Sequence, residues 1–125
     1  MTLVPFSNVT NRSGLLYVTV DRQGRLCLSA SLRRELEVGP GGISLYAAYD
    51  KVNRRIGLAK PSVVRLTDTI PYRFDGQRGY TMARNFLKAN AIPYDRAYRY
   101  VYVGRENGWW TFQLAGYDAP DQPSE

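Results

Sequence analysis

Apolar and polar residues alternate in short runs along this 125-residue chain, and turn residues separate the runs. Residues 15–20 read as a strand, Asp21-Arg22-Gln23-Gly24 as a tight turn and residues 25–28 as a second strand. A helical pattern follows, capped by Ser29 or Ser31, with Leu32 and Leu36 inward and Arg33 and Arg34 beside them. It is expected to end near Val38, where Gly39-Pro40-Gly41-Gly42 stops it. Residues 43–49 then read as a strand, 50–54 as a turn and 55–59 as a strand.

The same order of features returns in the second half of the chain at a constant offset. Val20-Asp21 meets Phe74-Asp75, Gln23 meets Gln77, Leu32 meets Phe86 and Val38 meets Ile92. Residues 72–74 are a strand and 75–79 a turn; a helix is expected over roughly 82–90, with Pro93 blocking its continuation. Residues 98–103 alternate, with Tyr98, Tyr100 and Tyr102 on one face. Asn107-Gly108 marks a hairpin, and residues 109–114 close the unit. The expected organisation is a flexible arm at 1–14, a first unit at 15–60, a linker at 61–70, a second unit at 71–115 and an acidic flexible tail at 116–125. Each unit is too small to bury its own apolar face and needs a partner copy.

Composition narrows the chemistry. There is no histidine, which removes the usual general base near neutral pH and any Ser-His or Cys-His pair. The single cysteine, Cys27, excludes an internal disulfide and a cysteine-based zinc site; it reads as a small core residue. The eleven acids form no paired motif, so no enzyme, metal or cofactor is expected. The glycine run at 39–42 lacks the lysine and spacing of a phosphate-binding loop. No apolar run approaches the roughly 20 residues of a membrane helix. The opening MTLVPFSNVTNRSG has no charged start followed by an apolar stretch, so no secretion signal is expected, and the triplets at Asn8 and Asn11 read as chance.

Charge supplies the positive signal. The last ten residues hold three of the eleven acids and no base, so residues 1–115 carry a net +9, seventeen bases against eight acids. Such a body favours a polyanion. Arg22, Arg25, Arg33 and Arg34 fall within thirteen residues of the first hairpin and helix. Arg54, Arg55, Arg78, Arg84 and Lys88 complete the candidate nucleic-acid-binding set; Arg54 and Arg55 serve equally well to blunt a strand edge.

Val20-Asp21, Gly24-Arg25, Leu32-Arg33-Arg34, Leu36 and Val38 resemble, in spacing and type, the AbrB-type N-terminal domain. That swapped-hairpin family of bacterial regulators includes the MazE-like antitoxins and the MraZ-type regulators. Asp21-x-x-x-Arg25 is also similar to the motif of the MraZ group, whose chains carry two units in tandem. The resemblance implies a mainly β fold with short helices, a swapped-hairpin barrel built from two pseudo-repeats in one chain, or paired across a homodimer. It implies double-stranded DNA as ligand, with Arg25, Arg33 and Arg34 in contact, and a cytoplasmic, nucleoid-associated protein. Val18 stands where some members have a further arginine, which Arg22 could replace, and Ser29 where proline is common. In the second unit Leu87 and Lys88 occupy the positions of Arg33 and Arg34, so that unit is expected to have lost part of the DNA surface.

Asp21 is expected to be structural, starting its turn and orienting Arg25. The tyrosines at 98, 100 and 102 suit a half-buried ladder better than base stacking. Trp109 and Trp110 point to opposite faces, one into the core and one available to a protein. The expected function is sequence-specific DNA binding in transcription regulation. The alternative is a protein-binding module of the same fold, an antitoxin or a viral factor docking on a host protein such as the transcription machinery, through the aromatic second half.

Overall fold

The computed structural model describes residues 15–121. The arm expected at 1–14, with both asparagine triplets, and residues 122–125 lie outside the described residues. The first half contributes β1 (Tyr17–Val20), β2 (Arg25–Leu28), α1 (Ala30–Glu35), β3 (Ile43–Asp50) and β4 (Arg55–Ala59). The second contributes β5 (Tyr72–Phe74), β6 (Tyr80–Met82), α2 (Arg84–Ala89), β7 (Tyr98–Glu106) and β8 (Trp109–Leu114).

The eight strands form one antiparallel sheet in the order β5-β3-β4-β8-β7-β1-β2-β6. Its two outermost strands, β5 and β6, are consecutive in the chain, and the Asp75 amide donates to the Tyr80 carbonyl across their turn, so the sheet curls into a nearly closed barrel. Near-closure leaves the two three-residue strands β5 and β6 as edges, and short edges invite aggregation least. The halves interleave: β1 pairs β7, β2 pairs β6, β3 pairs β5 and β4 pairs β8. Within the halves β1 pairs β2, β3 pairs β4 and β7 pairs β8, so each half forms its own hairpins and takes the remaining edges from the other.

The sequence offset persists in space. Ala30–Glu35 maps onto Arg84–Ala89 at that offset, so α1 and α2 start and stop at equivalent residues, and their ends carry matching hydrogen bonds. The Val38 amide donates to the Arg33 carbonyl at 3.0 Å, and the Ile92 amide to the Leu87 carbonyl at 2.8 Å. Glu37 and Ala91, one residue earlier, both take left-handed backbone, with φ of 58° and 55°. These are Schellman endings with a residue other than glycine at the turning position. They end α1 at Glu35, earlier than the glycine run suggests, because Val38 must turn back onto the core. The second helix starts two residues later than expected, because Tyr80–Met82 is drawn into a strand against β2. β7 runs three residues further than expected, through an irregularity between Tyr102 and Gly104, to the Asn107-Gly108 turn.

Alternation aims Val18, Val20, Leu26, Leu28, Leu58 and Phe112 into the barrel. Leu32, Leu36 and Leu87 from the helices join the same cluster. Tyr100 is fully buried, and Tyr98 and Tyr102 pack against the core; the ladder is structural. Trp110 is buried and Trp109 half-buried, as expected for opposite faces. Residues 116–121, where the sequence suggests a flexible acidic tail, return to the β3–β4 turn: the Tyr117 hydroxyl donates to the Val52 carbonyl and Ala119 is buried. No described helix is long and apolar enough to cross a membrane.

Candidate nucleic-acid interface

Two aspartates build the turns that carry the basic residues. Asp21 Oδ1 accepts from the Gln23 and Arg25 amides, both at 3.0 Å, and Oδ2 accepts from Arg25 Nε at 2.6 Å. Asp75 Oδ1 accepts from the Gln77 amide at 2.8 Å and the Arg78 amide at 2.7 Å. Burial raises the Asp21 carboxyl, but the Arg25 amide and guanidinium together with the Gln23 amide outweigh it and hold it below the usual carboxylate range. Asp75 is lowered chiefly by the Arg78 amide. Each carboxylate thus serves its turn, and Asp21 also aims the Arg25 guanidinium, which lies 4.5 Å from the Tyr80 ring centroid. Cys27 Sγ sits 3.7 Å from Asp21 Oδ2, and burial pushes this thiol up to about 11. It is a poor nucleophile there.

Each turn is clasped by an arginine from the helix of the opposite half. Arg33 Nη1 donates to the Gln77 carbonyl at 2.7 Å, and Arg84 Nε donates to the Gln23 carbonyl at 2.9 Å. The two acceptors are the equivalent glutamines of the repeat. Gly79, at φ 71°, lies beneath the Arg33 stem, and Gly24, at φ 83°, beneath the Arg84 stem. A Cβ at either position would strike the arginine as well as strain the backbone. Arg33 Nε is buried here without a hydrogen-bond partner.

These contacts draw both turns and both helices to the side of the barrel where β2 pairs β6. Arg22, Arg34, Arg78, Arg84 and Lys88 are exposed there, and Arg25 and Arg33 half-buried. Lys88 is one helical turn beyond Arg84 and shares its face. Arg34, beside Gly76 of the second turn, is steadied by its own helix, donating through Nη2 to Ser31 Oγ at 3.0 Å. Sequence reasoning missed Arg73. It is exposed on β5 and lines a shallow cleft with Arg78, Gln77, Tyr80 and Met82; its guanidinium donates to the Gly41 carbonyl and Ser44 Oγ. Its alternation with the inward Phe74 is the signal that would have found it. Two further carboxylates, Glu35 and Glu37, sit at the end of α1.

Arg54 and Arg55 are elsewhere. In strand order the β4–β8 pair is diametrically opposite the β2–β6 pair. Arg55 is locked on that wall: Nε donates to Gln113 Oε1 at 2.7 Å, and both terminal nitrogens donate to the Asp121 carboxylate at 2.6 Å. Arg54 stacks over the Tyr117 ring at 4.9 Å. The structure therefore gathers seven of the nine sequence-derived residues and separates these two.

Among the described residues no three of His, Cys, Asp and Glu converge to hold a metal ion. No protein-family model, curated protein or solved structure matches the chain.

Proposed function

We propose that this protein binds double-stranded DNA and regulates transcription, using a swapped-hairpin barrel of AbrB-like type folded from one chain. The gathering of Arg22, Arg25, Arg33, Arg34, Arg73, Arg78, Arg84 and Lys88 on one wall carries this reading. Two of the four carboxylates there are consumed by the turns, so cations dominate what the wall presents. Such a surface suits a phosphate backbone, and arginines on turns and helices also suit guanine edges. The strand interleaving and the turn-and-helix motif of the first half agree with the resemblance drawn from the sequence.

The test is titration against random duplex DNA at about 50 and 200 mM salt. The affinity is expected to fall steeply with salt. Replacing Arg34, Arg78 and Lys88 together by alanine should reduce the log–log slope by up to about 2.7, roughly 0.9 for each phosphate no longer neutralised. An unchanged slope would refute the assignment.

A second reading, docking on a protein, is favoured by the opposite wall. There Trp109 lies over Gly57 in a cleft with Tyr49, Asp50, Glu106, Asn107 and Thr111. Absence of DNA binding together with a stoichiometric co-purifying partner would select it.

A further inference from the structure

The repeat is not only in the sequence; its halves are related by a local twofold axis. In the β4–β8 pair Gly57 faces Thr111, its own equivalent in the second half. In the β2–β6 pair Leu26 faces Thr81 and Cys27 faces Tyr80, which is the reciprocal arrangement. The axis runs through both walls and emerges at the centre of the basic face. A homodimer would need two chains to create that axis, whereas here one chain contains it.

The two sides of the axis are composite. The first turn is clasped by α2, through Arg84 and the Gln23 carbonyl. The second turn is clasped by α1, through Arg33 and the Gln77 carbonyl. One side therefore carries Arg22 with Arg84 and Lys88. The other carries Arg78 with Arg33 and Arg34. Although four of the arginines are crowded into the first half of the sequence, the crossing shares the cations between the two sides.

Each side carries three of these cations, but the sides are not identical: Glu35 and Glu37 lie only on the side of α1. The first turn closes with the Gly24 amide on the Asp21 carbonyl, the second with the Gly79 amide on the Asp75 carbonyl, one residue longer. The flanking strand pairs differ by the same step: Val18 faces Tyr100, while Tyr72, the equivalent of Val18, faces Leu45 rather than Tyr46. Arg22 has Gly76 as its equivalent, and Gly24 has Arg78, so the long side chains leave the two turns at different positions.

We infer that a single chain reads one duplex site made of two unlike arms, an imperfect inverted repeat centred on the β2–β6 pair. This rests on the DNA-binding reading above and assigns its stoichiometry and the form of its target. The crossing gives a prediction that chain order alone would not. Arg34 and Arg78, from different halves of the sequence, act on the same arm; Arg22 and Arg34, from the same half, act on opposite arms.

The experiment is selection of the purified full chain against a random duplex pool, then measurement of complex mass and of phosphate-ethylation interference on the selected site. Interference is repeated with Arg22→Ala, Arg34→Ala and Arg78→Ala. The expected result is one chain per duplex and an asymmetric motif, with interference abolished on one arm for Arg34→Ala and Arg78→Ala and on the other for Arg22→Ala. Two chains per site, a perfect palindrome, or Arg22→Ala and Arg34→Ala weakening the same arm would overturn the inference and leave DNA binding intact. Failure of any duplex to bind in a salt-dependent way would overturn both.

Discussion

The β2–β6 wall and the β4–β8 wall lie on the same local axis, and each has an arginine–aspartate ion pair, yet their carboxylates are shared differently between cations and backbone. On the first, Asp21 and Asp75 satisfy turn amides, Asp21 also pairs with Arg25, and Arg22, Arg78 and Lys88 stay exposed. On the second, Asp121 folds back to neutralise Arg55, and Arg54, though exposed, stacks on Tyr117. Cations are present on both, so counting them does not locate a surface for a polyanion. What decides it is how much of each neighbouring carboxylate is taken up by the backbone rather than by the cations.

The largest effects should fall on what the walls share. Leu26 lies under one wall and Leu58 under the other, and both are fully buried. Leu26→Ala and Leu58→Ala should each cost about 2–5 kcal/mol in urea unfolding, in a single cooperative transition. Separate transitions for the two variants would mean two cores rather than one.

Gly79→Ala comes next and touches only the β2–β6 wall. Left-handed backbone at a residue with a Cβ costs about 1–2 kcal/mol, and the Arg33 stem must also move. Thermal unfolding should show the loss, and the salt-dependent DNA affinity should drop with it. Full retention of affinity would show that the clasp is not needed to shape the face.

Acid acts on both walls, because Asp50 on the opposite one is also depressed, by its hydrogen bonds from Asn53, and substitution isolates the contribution of the first. Asp21 and Asp75 are depressed in the folded chain, so the stability they contribute is fully present above the ordinary carboxylate value of about 3.9 and is lost as pH falls through their lowered values. Unfolding followed from pH 6 to pH 2 should show this loss, with a shallower slope in Asp21→Asn. An identical slope in that variant would remove Asp21 from the account.

The smallest effect belongs to the opposite wall. Asp121→Ala breaks an ion pair whose carboxylate is half exposed, so it should cost less than about 1 kcal/mol. It leaves Arg55 free of that partner while remaining remote from the β2–β6 wall, and DNA affinity should change less than threefold. A tenfold gain would erase the distinction between the walls.

Much of the architecture was legible in the sequence because it depends on neighbours in the chain. Alternation placed β2, β4, β5 and β8 at their observed bounds, and Asp21 followed by Gly24 marked a turn that the aspartate does organise. Helix ends were less legible. The Schellman turn at Glu37 uses a residue without glycine's freedom, and the reason, Val38 docking on the core, is a tertiary contact. The Tyr98, Tyr100 and Tyr102 stripe fits a ladder by its spacing alone, whereas the full burial of Tyr100 depends on the strands and helices packed around it.

The candidate face divides in the same way. Residue identity and order are enough to establish the excess of cations, the absence of histidine chemistry and the internal repeat. They also cluster Arg22, Arg25, Arg33 and Arg34 on the first hairpin and helix and suggest that the second unit has given up part of that surface. Folding alone makes the helices exchange turns, brings Arg84 and Lys88 to Arg22, brings Arg33 and Arg34 to Arg78, and assigns Arg55 to another wall. The cause is that each half pairs its own hairpins but leaves their outer edges unpaired and its apolar face open. Both needs are met at once only by interleaving, and interleaving carries every side chain to a neighbour that chain order does not name.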